Sequence, residues 1–222
     1  MAHLHIPDGV LPLWLWGPAW AVAVLALVAV WRVQRDRPPR RVAYDGALGA
    51  VMLAAMAMEV PLGPVEYHLT LAGPIGVLLG PAGAFQAAFI ASAVLALIGH
   101  GGLTLIGMNA LLLGTAAALA SPVYRVLARR RTAPVALAGA TAAGHTASGL
   151  LWLLLVLAGA RLRAADVGLD ATAARLAVMA SVAVPLVVLG VAAEATVALG
   201  MGHFIARVRP DLMPGAAPAR RT

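Results

Sequence analysis

Cysteine and lysine are both absent from the 222 residues, and only 9 residues are acidic. The missing cysteine excludes disulfide bonds and thiolate metal sites. The missing lysine excludes a P-loop, which needs a Lys after its Gly-rich turn. Any ATP-driven step must therefore belong to another subunit. All 16 basic residues are Arg, and the formal net charge is +7.

Apolar residues dominate the chain, since 62% of it is hydrophobic and 11% is charged. A soluble domain carries roughly a quarter charged residues. A soluble core of this size could not cover so much apolar surface, and a disordered chain is excluded by the same composition. Because a bilayer crossing takes about 20 apolar residues, the chain has room for about six to eight crossings. No room is left for a separate soluble domain.

Long runs without charge predict the membrane helices. The first run has only Asp8 before it, and we expect an uncleaved anchor rather than a cleaved signal peptide. Breaks at Gly80-Pro81 and at Gly99–Gly102 divide the longest charge-free region. The predicted fold is all-α, a polytopic membrane protein with a seven-transmembrane-helix bundle. Its helices are Val10–Trp31, Val42–Leu62, Leu69–Leu79 (short, so tilted, bent or shielded), Ala82–Ile98, Leu103–Tyr124, Pro134–Leu157 and Ala171–Ile205.

The arginines predict the orientation. Thirteen of them lie in residues 32–41, residues 125–131 and the C-terminal tail, and the other three, Arg161, Arg163 and Arg175, lie before the last predicted helix or in its first turns. The positive-inside rule then places the N-terminus outside and the C-terminus inside. We expect one integral membrane domain, residues 1–206, and a cytoplasmic basic tail, residues 207–222, in the inner (cytoplasmic) membrane. Nucleic-acid binding is not expected, because no soluble basic face or reader motif is present.

The first residues are rich in nitrogen donors. His3 and His5 stand close to the α-amine, whose pKa is near 8, and neutral imidazole is the commonest side-chain metal ligand. An amine, a deprotonated amide and an imidazole close in sequence form fused chelate rings. Nitrogen donors in a plane favour Ni²⁺ or Cu²⁺, whereas Zn²⁺ prefers a tetrahedron. Pro7-Asp8-Gly9 is a turn sequence, able to fold the N-terminus over the mouth of the bundle.

Two loop histidines lie on the same predicted side of the membrane. His68 ends the loop between helices two and three, and His100 lies in the Gly-rich break. Taken alone, His68 is typical of a polar residue at a helix end, and the first residues are typical of a frayed terminus. Because the predicted topology puts His68 and the first residues on the same side of the membrane, a metal site is favoured. His100 is interpreted as a loop residue or a vestibule ligand.

Several stretches resemble the CbiM/NikM-type substrate-binding subunits of energy-coupling factor (ECF) transporters for cobalt and nickel. They are His5-Ile6-Pro7-Asp8-Gly9-Val10-Leu11-Pro12, His68-Leu69-Thr70, Gly99-His100-Gly101-Gly102-Leu103-Thr104 and Gly107-Met108-Asn109. The resemblance implies an ion held at the outer face by the terminal amine, the amide and imidazole of the second residue, and a loop histidine, here His68. The substrate would be Co²⁺ or Ni²⁺, with no organic cofactor. The implied partners are a transmembrane coupling subunit, ATPase subunits and membrane lipid, with a small accessory membrane subunit as a further candidate.

The start of the chain departs from the family pattern, because four residues, Met1 to Leu4, rather than one Met precede the signature at His5. In a first arrangement Met1 is removed, and the Ala2 amine, the His3 amide and imidazole, and His68 supply four nitrogens. In a second, Met1 stays, and the amine, two amides and His3 suffice without His68. In a third, the true start is later and His5 takes the family role. The first is favoured because it regenerates a terminal residue followed by His.

Three polar residues lie within the predicted helices. Asn109 either fastens the N-terminal segment or the His68 loop, or joins two helices. His145 and Glu194 lie at depths that agree within about 3 Å, and we expect them to make contact and pin the last two helices. The alternative is a proton or ion path, since ionisable residues at that depth face the interior.

Two other functions compete with metal capture. A membrane enzyme is not expected, because His145 and Ser148 on one helix do not make a triad. A stand-alone metal-ion channel or secondary carrier is the alternative, and it would need polar residues along a continuous path.

Overall fold

The computed structural model describes residues 8–9, 11–62, 65–167 and 169–214. This part of the chain forms six helices and one antiparallel β-hairpin. By length and composition alone, five of the helices could cross a membrane, all except α2. The elements are α1 (Leu13–Gln34), α2 (Pro39–Ala57), β1 (Glu59–Leu62), β2 (Val65–His68), α3 (Ala72–Leu97), α4 (Ile106–Leu127), α5 (Ala133–Val167), α6 (Leu169–Val208) and a short 3₁₀ helix (Pro210–Leu212).

The hairpin is the main departure from the predicted helices. The second helix was predicted to reach Leu62, but α2 ends at Ala57 and the chain turns extended at Met58, with φ −86° and ψ 115°. Pro61 explains the early end, because a proline inside a helix removes a hydrogen bond and clashes with the preceding turn. Glu59 pairs with His68 across the hairpin. The hairpin therefore returns His68 to the end of α2.

Helix α3 is interrupted at Gly80, where φ is 75° and ψ is 171°. Glycine adopts positive φ without steric cost, and Pro81 follows. A straight helix of 26 residues would be about 39 Å long. The rings of His68 and His100, which flank α3, are nevertheless 5.8 Å apart between centroids. The chain thus reverses direction at Gly80, and the predicted break at Gly80-Pro81 is confirmed.

The two parts of α3 were predicted as separate spans in a bundle of seven helices, and the non-helical Gly80 does divide α3 into two helical segments. The first part, residues 72–79, is too short to cross a bilayer, since it spans about 12 Å. It enters the bundle among neighbouring helices and turns back. The predicted shielding by neighbours is seen in its burial, because every residue from Ala72 to Leu79 is buried.

Small residues allow α3, α4 and α5 to approach closely. A Cβ added to Gly76 would lie 2.7 Å from the Cα of Ala117, and one added to Gly73 would lie 2.7 Å from the Cα of Thr141. Such contacts are typical of membrane helices, where association depends on close packing. Helix α1 is packed less deeply, because the buried residues among its 22 are Ala19, Ala23 and Val30. The core of the described structure thus lies around α3 and α4.

One end of the bundle, here called the arginine end, contains the start of α2, the turn at Gly80 and the ends of α4 and α6. The Arg41 guanidinium donates to the carbonyl oxygens of Leu78 and Leu79 over 3.4 and 3.5 Å. Met213, beyond α6, belongs to the same apolar cluster as Tyr124 near the end of α4. The opposite end, here called the histidine end, contains Asp8, His68 at the end of β2 and residues 99–104.

Candidate metal site at the histidine end

Two imidazoles meet at the histidine end. His68 is the last residue of β2, and His100 follows α3 in the Gly-rich loop. Their rings are nearly perpendicular, with an interplanar angle of 83°. His68 is buried. The reversal at Gly80 therefore brings together His68, a predicted ligand, and His100, a predicted loop or vestibule residue, which lie 32 positions apart in the sequence.

Asp8 fastens the start of the chain to the loop that carries His100. Its carboxylate accepts hydrogen bonds from the amides of Leu103 and Thr104, each over 3.0 Å, and from the Thr104 hydroxyl. Gly102 allows this approach, because a Cβ there would lie 2.6 Å from the Asp8 nitrogen. We call these three hydrogen bonds the Asp8 latch.

The latch also sets the charge of Asp8. The Thr104 hydroxyl makes the largest contribution in lowering the pKa of the carboxyl. Burial opposes it, and the amides of Thr104 and Leu103 lower the pKa further. Hydrogen bonds donated to a carboxylate favour its ionised form. Asp8 is therefore an anion at neutral pH, as its acceptor role requires.

The loop that carries His100 also contacts α1. The Trp20 indole N–H donates to the Thr104 carbonyl over 2.7 Å, and a Cβ on Gly107 would lie 3.0 Å from the Trp20 Cα. Asn109 lies just beyond, buried in the first turn of α4. Its predicted role in fastening the N-terminal segment stays a prediction.

The predicted N-terminal donors Met1, Ala2, His3 and His5 lie outside the described residues. Among the described residues, no group of three or more His, Cys, Asp or Glu side chains could hold a metal ion.

Glu194 binds the chain just before α3. Its side chain is fully buried, and its carboxylate accepts hydrogen bonds from the amides of Thr70 and Leu71, the latter over 3.2 Å. The start of α3 attracts this carboxylate, because unpaired N–H groups and the positive end of the helix dipole favour an anion. In the described chain no hydrogen bond or ion pair joins Glu194 to His145, and the predicted contact between the two stays a prediction.

His145 is buried nearby on α5. Its Nε2 would lie 3.5 Å from a Cβ added to Gly190, one turn before Glu194 on α6. Tyr67, the residue before His68, donates its hydroxyl hydrogen to the Gly190 carbonyl over 3.1 Å. Sequence reasoning did not find the roles of Tyr67, Thr70 or Thr104. The only sequence signal is that each stands beside a predicted site residue or the Gly-rich loop.

Five helices fit to cross a membrane, together with an imidazole pair and a carboxylate latch at one end, define a multi-pass membrane protein with a polar site at the mouth of its bundle. The model of the CbiM family, described as the cobalt uptake substrate-specific transmembrane region, matches residues 5–212. The chain belongs to this family, and the resemblance stated from the motifs is confirmed.

Individual relatives agree with the family. The chain is 32% identical over 143 residues to the cobalt transport protein CbiM of Sorangium cellulosum, covering 61% of this chain and 63% of that protein. It spans about three fifths of the length of the curated relatives it matches.

Two solved structures share the fold. The crystal structure of a truncated transition metal transporter aligns with a TM-score of 0.76 at 19% identity, covering 91% of this chain and 98% of that one. A second transition metal transporter aligns with a TM-score of 0.77 at 19% identity, covering 92% and 93%. At this identity the likeness establishes the fold.

Proposed function

We propose that this chain captures a divalent transition-metal ion, Co²⁺ or Ni²⁺, for an ECF-type importer. The observation that carries the proposal is the convergence at the histidine end. The Asp8 latch holds the start of the chain against the loop that bears His100, and the His100 ring contacts His68. Donors from the first residues would complete a site that the two imidazoles begin.

The proposed ligands are nitrogen atoms of the N-terminal segment together with the His68 imidazole. His3 supplies an amide and an imidazole in the favoured arrangement, with the Ala2 amine, while Met1 or His5 takes part in the other two. His100 is the vestibule residue next to His68. The chain itself performs no chemistry on the ion and needs no organic cofactor, because capture requires only exchange of water ligands for nitrogen.

The orientation follows from the arginine end. Arg37, Arg41 and Arg209 lie there, and the positive-inside rule puts that end in the cytoplasm. The histidine end then faces the outside, where the ion arrives, with the N-terminus outside and the C-terminus inside. Residues 1–206 would form the inner-membrane domain and residues 207–222 the cytoplasmic tail.

Transport against a gradient needs an energy source that these residues do not contain. They have no lysine and so no P-loop, and we assign ATP hydrolysis to ATPase subunits acting through a transmembrane coupling subunit. A stand-alone channel or carrier is less well supported. Both main-chain amides beside Glu194 are bonded to its carboxylate, so Glu194 has a structural partner and does not extend a polar path from His145.

The test is metal binding by the purified protein and its histidine variants. Titration with Co²⁺ and Ni²⁺, supported by elemental analysis, should show His68→Ala and one of His3→Ala or His5→Ala losing more than 100-fold in affinity, beyond the roughly 10–100-fold typical of lost outer partners. His203→Ala, an exposed histidine near the arginine end, is the matched control. Intact mass of the purified protein tells whether Met1 is removed.

Each pattern of loss selects one arrangement. Loss in His3→Ala but not in His68→Ala selects the second arrangement, and loss in His5→Ala with His3→Ala unaffected selects the third. Full affinity in all three variants would refute the proposed site.

A further inference from the structure

Helix α6 holds the chain on both sides of His68. Before it, the Tyr67 hydroxyl donates to the Gly190 carbonyl over 3.1 Å. After it, the amides of Thr70 and Leu71 donate to the Glu194 carboxylate. We call these three hydrogen bonds the α6 clamp. Gly190 and Glu194 are four positions apart, so both attachment points lie on one face of α6.

The clamp lies in the interior of the protein. Glu194 is fully buried, and Thr70 and Leu71 are 5% and 7% exposed. Leu71 has a positive φ of 53°, a conformation that a leucine adopts only when its surroundings hold it there. The Ala72 amide donates to the Thr70 hydroxyl over 3.2 Å. The bend between β2 and α3 is therefore fixed by bonds to α6 as well as by its own.

We infer that Glu194 is a positioning residue for the metal site and that α6, through the clamp, aims the imidazole of His68 at the bound ion. The inference rests on the proposed function, in which His68 is a ligand. Glu194 does not touch the ion and acts through the backbone of Thr70 and Leu71. Moving α6 relative to the hairpin would then change the affinity for the ion.

The first test replaces one acceptor oxygen without changing the size of the side chain. In Glu194→Gln an NH₂ group faces a backbone N–H, which breaks one arm of the clamp. We expect Co²⁺ affinity of the purified protein to fall 10–100-fold, the usual effect of losing an outer partner of a ligand. Thr196→Val, on the same helix, removes an exposed hydroxyl bonded to its own helix and should leave the affinity unchanged.

A double-mutant cycle with His68→Ala separates positioning from general stability. Cu²⁺ is the probe, because it binds nitrogen donors more tightly than Co²⁺ or Ni²⁺ and keeps residual binding measurable. If Glu194 acts through His68, Glu194→Gln has no further effect on Cu²⁺ affinity in the His68→Ala background. An equal loss in both backgrounds, or no loss in Glu194→Gln alone, would overturn the inference.

A second pair of variants reaches the clamp without changing Glu194. A Cβ on Gly190 would lie 3.1 Å from the Tyr67 ring, whereas one on Gly200 meets nothing within 4 Å. Gly190→Ala should lower Co²⁺ affinity and shift the visible absorption of the Co²⁺ complex, and Gly200→Ala should do neither. Equal behaviour of the two would contradict the inference.

The outcomes distinguish this inference from the proposed function. Normal binding in His68→Ala and in both N-terminal variants would refute the site itself. Loss in His68→Ala with normal binding in both Glu194→Gln and Gly190→Ala would leave the site standing and refute the clamp. Normal binding in His68→Ala with loss in His3→Ala would also refute the clamp, since its target would not be a ligand.

Discussion

The two ends of the bundle use their acidic residues differently. At the histidine end, Asp8 and Glu194 accept hydrogen bonds from main-chain amides of distant segments. At the arginine end, Asp45 and Asp211 pair with arginine side chains close to them in sequence. An acid bonded to main-chain amides fixes the position of the chain, whereas a local ion pair leaves the backbone as the helices set it. The histidine end is therefore the end whose loops are held in defined positions.

Burial strengthens this contrast. Glu194 has no exposed surface, while the side chain of Asp211 is 42% exposed. Loss of a buried acceptor leaves its donors without water and costs about 1–3 kcal/mol for each donor. Loss of an exposed ion pair costs at most about 1 kcal/mol. Removal of an acidic side chain should therefore destabilise the protein more at Glu194 than at Asp211.

The largest effect should come from removing the Glu194 carboxylate. Glu194→Ala leaves two buried amides without an acceptor, so we expect the free energy of unfolding to fall by about 2–6 kcal/mol. Denaturant titration of the detergent-solubilised protein measures it. Asp211→Ala, at the arginine end, is the comparison and should change stability far less, because its ion pair with Arg209 is exposed to solvent. Equal losses would remove the contrast between the ends.

The Asp8 latch should affect metal binding more than stability. Asp8→Asn keeps the shape but weakens acceptance from two amides and a hydroxyl, and we expect affinity for Co²⁺ to fall about tenfold because the N-terminal donors lose their anchor. Asp211→Asn provides the matched change at the arginine end. If both variants bind Co²⁺ like the unaltered protein, the latch does not organise the site.

The latch should also respond to pH in a defined direction. The folded protein lowers the pKa of Asp8 from 3.8, chiefly through the Thr104 hydroxyl, so the latch contributes stability above pH 3.8. That contribution is lost as the pH falls through the lower pKa of the folded state. Amide exchange at Leu103 and Thr104, corrected for intrinsic rates, should stay slow at pH 5 and rise only below 3.8. A rise between pH 6 and 5 would contradict this assignment.

The smallest effect on metal binding is expected at the arginine end. Asp45 pairs with Arg37 and with Arg41, the latter over 3.0 Å. Because the Asp45 side chain is only 14% exposed, Asp45→Asn should lower the free energy of unfolding, but it should leave Co²⁺ affinity unchanged. A tenfold change in affinity would show that this end also shapes the metal site.

The sequence predicted the helices best where charge-free runs were bounded by polar residues. The first predicted helix, Val10–Trp31, overlaps α1 with its ends shifted by three residues, and the predicted break at Gly80-Pro81 is where α3 reverses. The hairpin was missed because Val60, Pro61 and Leu62 extend the apolar run of α2. Pro61 was the available signal, since a helix rarely passes through proline.

The candidate site could be predicted only in part, for a physical reason. His68 and His100 carry recognisable chemistry, and the predicted topology put both on one side. The partner of Glu194 was not predictable in the same way, because depth in the helices suggested His145 while the actual donors are main-chain amides. Which amides stay unpaired depends on where α3 begins and on the bend at Leu71. Neither feature can be deduced from the types of side chain in the sequence.

The most direct test of the central claim is X-ray absorption at the metal edge of the Co²⁺- or Ni²⁺-loaded protein, compared with the same ion in His68→Ala and in His203→Ala. We predict a first shell of nitrogen with imidazole scattering, reduced by one imidazole in His68→Ala and unchanged in His203→Ala. An identical shell in all three proteins would contradict a site in which His68 and the start of the chain share one ion.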